Sequence, residues 1–231
     1  MSDASARTTL PRTHANGTDL RRLRLWAEMA LLYVLAPVAL AVFFPANWMF
    51  PVLFAVTALG LVLLHVTRDF EWVELLRGWH RIGWGAVLGL SVVTFLAGTA
   101  VMMTFNPQGY FWMVQNRPEL MLTIALLYPF VSALPQEIVF RPLFFRRYAE
   151  LLPGTQLAIL ANAALFSLAH MLYWNWVVTI MTFFGGLAFA WAYEVRRNFP
   201  MAVVLHAVSG VIVFAVGLGM FFYTGNIQRP F

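Results

Sequence analysis

The chain carries Pro135-Gln136-Glu137-Ile138-Val139-Phe140-Arg141 inside a stretch that is otherwise membrane hydrocarbon, and histidines follow at His170 and His206 in similarly apolar surroundings. A charged side chain at the centre of a bilayer costs about 2.5 to 3.5 kcal/mol on insertion scales, so ionisable groups there face protein or water and mark function. Glu137 and Arg141 stand at i and i+4, a spacing that brings their side chains together on one helix face. A neutral imidazole can accept a proton, orient a water, donate to an oxyanion or bind a metal. Zinc held by Glu137, His170 and His206 would give the three-ligand open site of metal hydrolases. No His-Glu-x-x-His pair lies on one helix, however, so no cofactor is favoured.

Each feature also has a purely architectural reading. Glu137 and Arg141 could form a buried ion pair that locks two spans together, although the desolvation cost of such a pair favours a functional reason for keeping it. Pro129, Pro135 and Pro142 each remove a backbone donor and free a carbonyl one turn earlier, which gives either a packing kink or a broken, hydrated helix. Either histidine alone could be an ordinary interhelical hydrogen-bond partner.

Taken in order, Gln136-Glu137-x-x-x-Arg141, Phe166-x-x-x-His170 and a later His206 resemble the CAAX protease and bacteriocin-processing family of intramembrane endopeptidases. The similarity covers about the last half of the chain, with a protease-like core at 120–222. In that family the pattern is Glu-Glu-x-x-x-Arg, Phe-x-x-x-His and His-x-x-x-Asn. The resemblance implies that the first glutamate and first histidine activate a water while the second histidine and the asparagine steady the oxyanion. Glu137, Arg141, Phe166, His170 and His206 match; the first acidic place is Gln136 and the asparagine place is Gly210.

An amide has no useful basicity, so Gln136 could orient a water but not deprotonate it. Glu137 is the nearest carboxylate, yet neighbouring helical side chains point about 100° apart, and only distortion near Pro135 would turn it to the same place. The expected roles are His170 with Glu137 as the activating pair, His206 as oxyanion donor and Arg141 as the partner that keeps Glu137 ionised. Asn162 and Ser209 are accessory candidates for the missing donor at Gly210. The expected activity is hydrolysis of a peptide bond in a membrane-associated protein or peptide. The competing readings are a catalytically silent relative that binds or scaffolds, suggested by Gln136, and a proton-coupled carrier, for which no inverted repeat speaks.

The elements that must position these groups are transmembrane helices. The chain is 61% hydrophobic and only 11% charged, with a mean hydropathy of +0.74. Its apolar stretches approach the roughly 20 residues a helix needs to cross a bilayer, which predicts an all-α polytopic bundle rather than a barrel. About seven spans are expected: Leu25 to Phe44, Met49 to Val66, Gly83 to Phe105, Leu120 to Arg141 or beyond, Thr155 to Leu172, Trp176 to Tyr193 and Met201 to Tyr223. Residues 1–19 read as a disordered cytoplasmic tail and 20–231 as one membrane-embedded domain. The segment Arg68 to Arg81 reads as a short interfacial helix or a tryptophan-anchored loop.

All 15 basic residues are arginines. They cluster before the first span and after the second, fourth and sixth, which predicts a cytoplasmic amino terminus and an external carboxyl terminus, in a bacterial plasma membrane. The net charge of +5 follows from that placement and suits anionic lipid, not nucleic acid. The absence of cysteine removes disulfides, thiolate metal sites and cysteine nucleophiles. At about 1.5 Å per residue, His170 falls near the outer end of its span and Glu137 and His206 nearer the inside. Straight helices would keep them apart; tilts or breaks would have to bring them together.

Overall fold

A computed structural model describes residues 14–230. Six helices are long and apolar enough to cross a membrane: α1 (Asp19–Phe43), α2 (Ala46–His65), α3 (Trp84–Phe105), α4 (Pro118–Arg147), α5 (Thr155–Tyr173) and α6 (Trp176–Glu194); a shorter apolar helix, α7 (Phe199–Ala215), follows. The chain is an all-helical bundle of about seven spans, and the described residues contain no strand. Many large apolar side chains point outward, such as Phe43, Leu88 and Phe184 at 77%, 66% and 62% exposed. A water-soluble domain could not carry such a surface, but lipid solvates it.

Residues 1–13, most of the segment expected to be a disordered tail, lie outside the described residues. Helical turns begin at His14, inside that expected tail. The last span is shorter than the expected Met201 to Tyr223. α7 stops at Ala215, and Gly217 turns the chain in a left-handed conformation at φ +103°, where a side chain would run into the Gly109 carbonyl. The segment 68–81 is not one interfacial helix: it forms short 3-10 turns at Trp72–Leu75 and Trp79–Arg81.

α4 positions the polar residues, and its prolines shape it. Regular α-helix gives way to wider π-helical turns at Pro129–Ala133 and again at Val139–Arg147, which contains Pro142. Proline cannot supply the donor that a regular turn needs, so the ladder widens there. Two carbonyls in the second wide stretch are satisfied from other helices: the Tyr33 hydroxyl donates to Val139 O at 2.6 Å and the Asn162 amide to Phe140 O at 2.6 Å. In hydrocarbon an unpaired carbonyl would cost several kcal/mol. The distorted helix is thus stitched to α1 and α5 at the level of the polar centre.

α5 and α6 pack closely because Gly186 has no side chain; a Cβ there would sit 3.1 Å from the Ala163 Cα. Small residues at such a crossing let helix backbones approach within lipid. The Ser167 hydroxyl adds a bond across the pair to Thr179 O at 2.7 Å. At the arginine-rich end, Arg147 Nε meets Glu28 at 2.7 Å, tying α4 to α1.

Candidate active site

Glu137 and Arg141 are fully buried, with Arg141 Nε donating to Glu137 Oε2 at 2.7 Å and Nη2 reaching Oε1 at 3.3 Å. Arg141 Nη1 also donates to the side-chain oxygen of Asn162. The guanidinium lies 5.2 Å from the centre of the Phe166 ring, where the ring face adds attraction to the cation. Glu137 has one further partner, and it is not His170. His206 Nδ1 stands 2.9 Å from Glu137 Oε1. The expected pairing of Glu137 with His170 is therefore corrected: the carboxylate on α4 faces α7, and its oxygens are filled by Arg141 and His206.

The His206 ring has little freedom. It stacks on Phe189 at 4.8 Å and 10° between planes and meets the edges of Phe166 and Tyr128. A carboxylate oxygen only accepts, so Nδ1 is the donor in this contact; in the neutral tautomer that does so, Nε2 presents a lone pair. The Tyr128 hydroxyl lies 3.1 Å from that Nε2 and donates to it in this tautomer. Tyr128 has this place because residue 210 is glycine: a Cβ at Gly210 would run into the tyrosine ring. The position where the resemblance implies an asparagine is thus filled from α4 by a tyrosine that the sequence gave no reason to single out. Its only local signal is a hydroxyl-bearing ring just before Pro129.

His170 ends the regular part of α5. Its Nδ1 lies 2.8 Å from Phe166 O, and because a carbonyl only accepts, Nδ1 is the donor and Nε2 holds the lone pair. Among the described residues Nε2 meets no hydrogen-bond partner. The Phe166 ring stands between the two imidazoles, with centroids 4.6 Å from His170 and 5.5 Å from His206.

These groups share the wall of a cavity of about 510 Å³ lined by Tyr128, Ser132, Gln136, Phe166, His170, His206, Ser209 and Gly210 among many apolar side chains. Glu137, Arg141 and Asn162 are not part of that wall. Gln136 is, and its amide nitrogen donates one hydrogen to Ser132 Oγ at 2.9 Å, leaving a second for a ligand. The roughly 100° between neighbouring helical positions therefore separates the two residues: the amide meets the cavity while the carboxylate is sealed behind it. Pro135 does not turn Glu137 into the cavity. Asn162, an accessory candidate, is spent on Arg141 and Phe140 O, whereas Ser209 reaches the wall.

Among the described residues no group of three His, Asp or Glu side chains converges as an ion site. Of the zinc candidates, Glu137 has its oxygens on Arg141 and His206, and His206 spends Nδ1 on that same carboxylate.

Residues 118–212 match the family model described as Type II CAAX prenyl endopeptidase Rce1-like. This segment is similar to the CAAX protease family. No curated protein and no solved structure matches the chain. The family segment holds α4 to α6 and nearly all of α7, and with them Tyr128, Ser132, Gln136, His170, His206 and Ser209 of the cavity wall. The match takes in the part of the bundle that carries the polar centre, and α1 to α3 lie outside it.

Proposed function

We propose that the protein is an intramembrane endopeptidase that hydrolyses a peptide bond in a membrane-associated protein or peptide, with His206 as the base. The observation that carries this reading is the Glu137–His206 contact of 2.9 Å with Nε2 towards the cavity. A carboxylate on Nδ1 fixes the tautomer and stabilises the imidazolium that forms when Nε2 takes a proton. Water reaches the base through Tyr128: its proton passes to the tyrosine oxygen as the tyrosine's own proton passes to Nε2. The hydroxide equivalent adds to the scissile carbonyl carbon. The free Gln136 amide hydrogen donates to the oxyanion, and the His170 Nε2 lone pair accepts from the attacking water and orients it. On collapse of the tetrahedral intermediate the tyrosine gives its proton to the leaving amine as His206 Nε2 returns one to the tyrosine oxygen.

The largely apolar cavity suits a substrate with a lipid-embedded or lipid-modified segment. The family description makes a prenylated protein terminus the first class to test. The same reading includes a cytoplasmic amino terminus, from arginine placement. The test is purified protein in lipid, incubated with prenylated and unmodified membrane-anchored peptides, with products identified by mass spectrometry. Cleavage at one defined bond, unchanged by a chelator, is expected. Chelator-sensitive cleavage restored by zinc would replace this mechanism with metal-assisted hydrolysis.

A further inference from the structure

A second cleft lies at the arginine-rich end of the bundle and shares no lining residue with the first. It is lined by Gly78, Arg81, Val195, Arg196, Arg197 and Asn198, with a volume of about 420 Å³. Two tight loops form it, each with a left-handed residue: Gly78 at φ +104° and Arg197 at φ +49°. Asn198, 3% exposed, clasps them together: its amide donates to Gly78 O at 2.9 Å and to Arg81 O at 3.2 Å, while its side-chain oxygen accepts from Met201 N at 2.9 Å. A side chain at Gly78 would collide with that asparagine, at 2.7 Å from Cβ. The cleft is therefore held by buried contacts and is not a chance gap between mobile arginines.

Its charge is unbalanced. Arg197 meets Glu194 at 3.4 Å, whereas Arg81 and Arg196 have no ion-pair partner among the described residues. Arg196 lies 5.6 Å over the Trp191 ring, a contact that leaves its donors available. Exposed Trp79 and Trp84, at 56% and 66%, flank the loop where α3 begins, and tryptophans so placed mark headgroup depth at a membrane interface.

We propose that this cleft binds the phosphate of an anionic phospholipid, with Arg81 and Arg196 as its principal donors and Arg197 at its edge. Guanidinium forks match phosphate oxygens bidentately, and basic pockets between spans take lipid headgroups. The proposal is independent of the peptidase chemistry and stands or falls without any cleavage assay. The observations select the phosphate group, and the depth selects lipid over free phosphate as its source.

The test is native mass spectrometry of the full chain released from bilayers of equal phosphatidylglycerol and phosphatidylcholine. Wild type should retain phosphatidylglycerol selectively. The pair Arg81→Gln with Arg196→Gln should lose roughly 30-fold of that preference, as two cation contacts of ordinary strength imply. The pair Arg68→Gln with Arg77→Gln, which removes the same charge outside the cleft, should keep it. Inorganic phosphate added at equal concentration should not displace the lipid. Equal retention of both lipids by wild type, or equal loss in the two double variants, would overturn the site. Displacement by inorganic phosphate would reject lipid as the source.

Discussion

Gln136 and Glu137 are chain neighbours on one helix, yet they belong to two different environments. Glu137 is saturated: two arginine nitrogens and one imidazole nitrogen occupy its oxygens, and no part of it meets the cavity. Gln136 stands on the cavity wall with an amide that is neutral and half used. The difference teaches that, in the proposed reaction, the carboxylate of this site acts at one remove. Where charge is sealed it serves the fold and orients an imidazole, and where the cavity is open only imidazoles, amide and hydroxyls are presented.

The largest expected effect falls on the link between the two environments. If His206 is the base, His206→Ala should lower cleavage by about 100- to 10,000-fold, the range of general-base assistance. Tyr128→Phe, which keeps the ring against His206 and Phe214, should cost about 10-fold, because a water can replace the hydroxyl at Nε2 less precisely placed. Equal rates for Tyr128→Phe and wild type would remove the relay.

On the sealed side, Arg141→Met should leave a buried carboxylate without its cation and destabilise the protein by about 3 to 5 kcal/mol. Replacing Glu137 and Arg141 together by apolar residues should recover much of that loss without recovering activity. Denaturation in detergent micelles checks both, and normal stability of the single variant would contradict the ion pair.

Gly210→Ala probes the boundary from the cavity side. The added methyl meets the Tyr128 ring, so an overpacking loss of about 1 to 3 kcal/mol is expected, together with displacement of the hydroxyl from His206. An unchanged melting temperature would mean the ring yields freely. The smallest effect belongs to exposed charge: Arg77→Gln breaks the Arg77–Glu71 contact, whose partners are 57% and 65% exposed, and should cost less than about 1 kcal/mol.

Much of this arrangement was legible in the sequence for physical reasons. Apolar stretches long enough to span, broken by arginine-bearing loops, gave the helices; the i and i+4 spacing gave the Glu137–Arg141 contact; three motifs in order gave the family. What stayed hidden depends on which way helix faces turn. Spacing along the chain does not tell which histidine a buried carboxylate meets, and the answer was His206 on α7. Nor could it show that Asn162 would be consumed by the freed Phe140 carbonyl, or that a glycine at 210 makes room for a ring from α4. The early end of α7 turned on a left-handed glycine that hydropathy does not register.

The most direct measurement compares wild type with Gln136→Glu on the same membrane-anchored peptides, by mass spectrometry of the products. If His206 is the base and the Gln136 amide an oxyanion donor, wild type cleaves. Gln136→Glu then loses about 100- to 1,000-fold, because a donor is removed and a negative charge placed beside the developing oxyanion. An inert wild type whose cleavage is switched on by Gln136→Glu would contradict the account and mark the protein as a silent relative of the CAAX proteases.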